Sequence, residues 1–260
     1  MDRRYGVLLT IAYDGRAFRG FARQRDLRTV AGELEHAIST IDAGASEVRA
    51  ASRTDAGVHA HEQVIAFDAA RELAPRNWVL GLATRLDRDV AVVRGARVDA
   101  GFVPSHRAVS KTYRYVVLES AVRDPFLEQR AWRVEERLNH ETMRTEASAL
   151  CGEHDFVAFR GAADEREDTV RHVLRAEVRT SRCDARCLEI EITGNRFLYR
   201  MVRIIVGTLV DVGRARLEPG AVGRAFQSGS RDDLGMTAPP EGLYLDRVEL
   251  DESGRDPWPA

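Results

Sequence analysis

Lysine is almost missing from this 260-residue chain: of its 39 basic residues, Lys111 is the single lysine. Arginine supplies the rest, a bias that reflects genome composition as much as chemistry. Cysteine is scarce too, and the three present, Cys151, Cys183 and Cys187, are odd in number and irregularly spaced. That excludes a disulfide framework, and no nearby Cys/His pair completes a zinc set around Cys183 and Cys187, so no metal site is expected. No window approaches the roughly 18 unbroken apolar residues of a membrane helix. The opening residues, Met1 to Tyr5, run straight into a strand pattern with no signal-peptide core, so the expected compartment is the cytoplasm.

Net charge is scarce as well, at −2, which argues mildly against a general nucleic-acid binder. The total hides segregation. Arg16, Arg19, Arg23, Arg25 and Arg28 crowd one stretch against a lone Asp26. Arg107, Lys111 and Arg114 have no acid among them, and Arg196, Arg200 and Arg203 form a third group. Acids pool elsewhere, as in Glu135-Glu136 and around Asp164 to Asp168. A basic cleft on a neutral body fits this pattern, although any one run alone reads equally well as a solvated face.

Apolar and β-branched runs predict strands over Tyr5–Tyr13, Glu47–Ser52, Gln63–Phe67, Val90–Val98, Thr112–Leu118, Val170–Arg179, Leu188–Thr193 and Leu243–Leu250. Helical spacing predicts helices after the caps Thr29 and Asn139, over Asn77–Leu86, near Ala221–Gln227 and over Arg196–Val212. Strands and helices mix without regular βα alternation. The expected class is therefore α+β: two similar halves with mainly antiparallel sheets, joined side by side with an active-site cleft between them. The halves are expected at residues 1–104 and 105–260. The polar stretch Arg160 to Asp168 is expected to be a loop.

The chemistry concentrates in Ser52-Arg53-Thr54-Asp55-Ala56-Gly57-Val58-His59-Ala60, a loop between two apolar strands. Such a loop holds a carboxylate firmly enough to act as nucleophile or general base. Taken alone, Asp55 reads better as a cap of its own turn. The segment RTDAGVHA, followed by Gln63 and Phe67-Asp68, resembles the signature of the tRNA pseudouridine synthase A family. The resemblance extends along the chain: Tyr13-Asp14-Gly15 with Phe18 and Gly20, Thr29-Val30 with Gly32 to Glu35, Lys111 to Tyr115 (KTYRY), Gly152 to Phe159, Gly194 to Gly213, and Thr237 to Leu245. Two places depart from the pattern. Phe21 stands where the family usually has Trp, and Pro104-Ser105-His106-Arg107 replaces a more usual Arg-Phe pair.

The resemblance implies an isomerase that converts uridine to pseudouridine in the anticodon stem-loop of tRNA, at positions 38, 39 and 40, without cofactor or metal. It implies a homodimer in which one tRNA spans both subunits. Asp55 would be the nucleophile, attacking either C6 of uracil or C1′ of ribose. Tyr113 would stack on the target base, although a core tyrosine on a strand would look the same in sequence. Arg203 lies in an otherwise apolar helix and must reach water or an anion; the resemblance makes the catalytic aspartate that anion. Arg53, Arg107 and Lys111 are the candidate RNA contacts. The alternatives are a related synthase with another RNA target, a catalytically silent RNA-binding protein, and a small-molecule enzyme using Asp55 as base, for which no cofactor fingerprint is present.

Overall fold

Strand β1 (Tyr5–Tyr13) sets the centre of the first sheet because Val7, Leu8, Leu9 and Ile11 are all buried along it. The computed structural model describes residues 4–251 and 254–259. After β1 come helix α1 (Val30–Ile41), a two-residue strand β2 (Arg49–Ala50), β3 (His59–Ala69), α2 (Pro75–Ala83), β4 (Val90–Val98) and the short α3 (Pro104–Arg107). The second half brings β5 (Ala108–Glu119), β6 (Trp132–Val134), α4 (His140–Ser148), β7 (Gly152–Asp155), β8 (Val170–Thr180) and β9 (Cys187–Gly194). Helices α5 (Met201–Gly213) and α6 (Ala221–Ser228) follow, then β10 (Leu243–Leu250) and β11 (Arg255–Trp258).

The chain divides into two compact units, one of residues 1–109 with 245–260 and one of residues 110–244. In the first, strands lie in the order β11-β4-β1-β3-β10, and β1 is antiparallel to both β3 and β4. In the second the order is β5-β9-β8-β7, every pair antiparallel, with β6 parallel to the end of β5. The α+β class with mainly antiparallel sheet holds. The division differs from the expected one after residue 104: the chain changes unit inside β5, and the closing strand returns to the first unit because β10 lies beside β3.

Capping explains where the helices begin. Thr29 Oγ1 accepts the Gly32 N–H at 3.3 Å, and Asn139 Oδ1 accepts the Thr142 N–H at 3.1 Å. Each such cap stabilises by about 1 kcal/mol. Helix α1 buries Val30, Leu34, Ala37 and Ile38, one face at helical spacing. It stops at Asp42, whose buried carboxylate accepts from the N–H groups of Gly44, Ala70 and Arg71 at 3.0, 2.7 and 2.9 Å. Helix α2 starts with Pro75 at its first turn and sends Trp78 edge-on against Phe67, 5.0 Å between ring centres.

Helix α5 is the most buried element, and it corrects the expected span. It begins at Met201, not Arg196, because Arg200 sits in the left-handed region at φ 60° and breaks the helical path. Arg196, Arg200 and Arg203 therefore do not form one helical stripe. Among the described residues no helix is long and apolar enough to cross a membrane.

Candidate active site

The loop carrying Asp55 is held on two flanks by residues of the first unit. Asp55 itself is half-buried, and Gly57 takes φ +81°, a value glycine adopts without strain. The turn closes through the Val58 N–H to the Asp55 carbonyl at 3.2 Å. On one flank, the Gln63 side chain, fully buried in β3, donates to Ser52 O at 2.7 Å and accepts from Ser52 N–H at 3.3 Å. On the other flank, the segment after β1 wraps the loop. Phe21 N–H donates to Thr54 O at 3.0 Å, and the Tyr13 and Thr54 hydroxyls are bonded at 2.7 Å. Gly15 N–H donates to His59 Nδ1 at 3.1 Å, and a Cβ on Gly15 would sit only 2.1 Å from Val58 O. The glycine in Tyr13-Asp14-Gly15 is thus required by close approach of two backbones.

Thr54, Gln63 and His59 escaped the sequence reading as positioning groups. The available signal was a glutamine on an inward-facing position of an apolar strand, where an amide must find partners. Phe21, at the position that departs from the family pattern, is buried and packs against the Tyr13 ring at 6.4 Å. Arg53 lies exposed beside Asp55.

The basic stretch after β1 is more neutral than its sequence suggests, because folding brings acids to it. Arg28 pairs with Glu33, Asp87 and Asp89 at 2.9, 3.0 and 2.6 Å, and these carboxylates raise its guanidinium well above its ordinary value. Arg16 pairs with Asp14 at 2.7 Å and Arg23 with Glu35 at 3.3 Å. Arg107 pairs with Asp251 at 3.0 Å, just past the end of β10.

In the second unit, Tyr113 is buried on β5 with its ring edge-on to Phe197, 5.1 Å between centres. Lys111 lies two residues earlier on the same strand, opposite Gly194 of β9. Burial, with the charges of Arg196 and Arg166, pushes its ammonium down to about 8. Arg203 is half-buried on α5 and fixed at its root: its Nε donates to Ala238 O at 2.8 Å, while Ala238 N–H donates to Arg203 O at 3.0 Å. Gly207, one turn on, lets the Met236 carbonyl approach so closely that a Cβ would lie 1.7 Å from it. The three cysteines are free thiols, with Cys187 buried beside Leu118 and Ala131 and its thiol pushed up to about 11 by burial.

The family model described as tRNA pseudouridine synthase matches residues 9–100 and 147–251, spans that hold both the Asp55 loop and α5. This chain belongs to that family. It is 39% identical over 244 residues to the tRNA pseudouridine synthase A of Bacillus subtilis, covering 93% of this chain and 98% of that protein. The protein of the same name from a Geobacillus species is 39% identical over 246 residues, covering 94% of this chain and 98% of the relative. That of a Geobacter species is 36% identical over 247 residues, with 95% and 99% covered. Within the matched residues, Tyr13, Gly15, Thr54 and Gln63 form the contacts that hold the Asp55 loop.

Proposed function

We propose that this chain converts uridine to pseudouridine in the anticodon stem-loop of tRNA, at positions 38 to 40, with Asp55 as nucleophile. The observation that carries the reading is the family match across both the Asp55 loop and α5, taken with the hydrogen bonds that fix that loop. In the reaction the N1–C1′ bond breaks, the uracil turns, C5 bonds to C1′, and the C5 proton leaves to solvent while N1 gains one. The bond that Asp55 forms to the substrate breaks again before product leaves, which regenerates the carboxylate; one proton lost and one gained make the step an isomerisation with no net redox change.

Each proposed residue has a distinct task. Asp55 attacks C6 of uracil or C1′ of ribose. Tyr113 offers its ring to the extruded base, a stacking contact of about 1–3 kcal/mol. Extrusion costs a few kcal/mol, which contacts from Arg53 and Lys111 to the RNA backbone offset. Arg203, held by Ala238, completes the catalytic set. The working form is proposed to be a cytoplasmic homodimer.

The test is tritium release from tRNA carrying 5-tritiated uridine, followed by mapping of the modified positions. Wild type should release tritium and Asp55→Asn should not, since an amide keeps the shape without the nucleophile. Both proteins should bind tRNA alike. Turnover by pure Asp55→Asn above a trace of the wild-type rate would sink the assignment.

A further inference from the structure

Around Lys111 the second unit gathers three cations. Lys111 stands opposite Gly194, the last residue of β9, where no side chain intervenes. A Cβ on Gly194 would press on His172 O at 2.9 Å and the Phe197 ring at 3.1 Å, so this crossing is tight. The chain then turns through Asn195, whose Oδ1 accepts from His172 N–H at 3.1 Å and from Arg196 N–H at 2.6 Å. That turn fixes where Arg196 leaves the backbone. Arg166 arrives from the loop after residue 160 and donates to Phe197 O at 3.4 Å.

The nearby acids act on Arg166, which pairs with Asp164 and also feels Asp168, and neither is bonded to Lys111 or Arg196. Asp164 is bound by the Arg166 guanidinium, and its second oxygen also accepts the Tyr199 N–H at 2.7 Å. These contacts hold its carboxyl far below the usual carboxylate range. Lys111 therefore feels Arg196 and Arg166 as like charges in a partly dry setting, which is unfavourable without an anion. On the same face of β5, two residues on, stands the Tyr113 ring, braced by Phe197.

We propose that Lys111, Arg196 and Arg166 form a phosphate-binding subsite that takes a backbone phosphodiester of the nucleotide whose base lies on Tyr113. An aromatic surface beside a cluster of cations matches the two chemical parts of a nucleotide, a flat base and an anion. This rests on the proposed RNA substrate and adds to it the place where one phosphate is held.

The chain's lone lysine makes the test unambiguous. Pyridoxal 5′-phosphate condenses with an unprotonated amine, losing water to form an imine that borohydride reduces to a stable adduct. Labelling of the Lys111 peptide is compared with that by pyridoxal, which lacks the phosphate, each normalised to its rate with free Nα-acetyl-lysine. Lys111 should prefer the phosphate-bearing aldehyde by about tenfold. Arg196→Ala, an exposed position, should remove most of that preference, and a saturating anticodon stem-loop should block the labelling. Arg196→Ala should also lower the slope of log K for the stem-loop against log salt by about one. Equal labelling by the two aldehydes overturns the anion subsite. Full labelling of Lys111 in the RNA complex overturns its assignment to RNA phosphate. If wild type binds no stem-loop yet keeps the tenfold preference, the substrate reading falls and the anion site stands.

Discussion

The hydroxyls of Tyr13 and Thr54 lie 2.7 Å apart in the interior of the first unit, joining the end of β1 to the residue just before Asp55. The bond links two segments 41 residues apart in sequence. It gives the Asp55 loop a rigid reference point inside a sheet.

Tyr13→Phe should keep the fold and lose about 1–2 kcal/mol, the cost of leaving a buried hydroxyl short of a partner. Urea denaturation measures this. Tritium release should show kcat falling on the order of tenfold with KM little changed, because aim is lost rather than binding. An unchanged kcat would mean that the Thr54 contact does not position Asp55.

Gly15→Ala should be harsher than its one methyl suggests. The new Cβ would lie 2.1 Å from Val58 O, so one of two backbones must move. Turnover should be nearly lost, with a circular dichroism spectrum close to wild type and a midpoint in urea lowered by about 1–3 kcal/mol equivalent. Wild-type turnover in this variant would contradict the close approach.

Tyr113→Phe and Tyr113→Ala separate the ring from the hydroxyl. The phenylalanine variant should bind stem-loop RNA like wild type and turn over slowly or not at all. The alanine variant should bind about ten- to a hundredfold more weakly, corresponding to a stacking contact of about 1–3 kcal/mol. Filter binding with both variants decides it, and equal losses would deny the ring its role.

Lys111 gives a pH signature. Its folded-state value near 8 lies below the ordinary 10.5, so between these pH values the unfolded chain binds more protons than the folded one. Stability contributed by this site therefore rises with pH across that window, and the penalty is fully present below pH 8. Lys111→Met carries no such penalty. It should be more stable than wild type at pH 7, with the difference closing by pH 10.5. Urea midpoints of the two proteins at intervals from pH 7 to 10.5 check this, and a constant difference would show that the ammonium is not stressed.

Strands whose identity rests on their own residues were legible in the sequence: β1, β4 and β10 occupy the spans that alternation and β-branching predict. The caps at Thr29 and Asn139 were legible for the same reason, since a cap is a local hydrogen bond. What could not be seen depends on distant partners. Strands β6, β7 and β11 are three or four residues long and exist because β5, β8 and β4 offer them backbone groups. The stretch from Arg196 to Arg200 has helical spacing, yet Asn195 bonds its own turn and Arg200 takes positive φ. The charge of the segment after β1 misled in the same way, because Asp87 and Asp89, which bind Arg28, lie some sixty residues away. Family resemblance drew attention to the Asp55 loop, whereas the contacts that hold this loop in place were not legible.

The return of the chain to its first unit at Leu245 also fixes an order of assembly on the ribosome. Residues 110–242 emerge before β10, so nearly all of the second unit can fold as a continuous segment while the first still waits for its last strands. During that interval the part of β3 that will neighbour β10 remains an open edge, able to pair with a strand of another nascent chain. The Asp55 loop leads directly into β3. Translation thus completes the sheet that follows the Asp55 loop only after most of the second unit has been made.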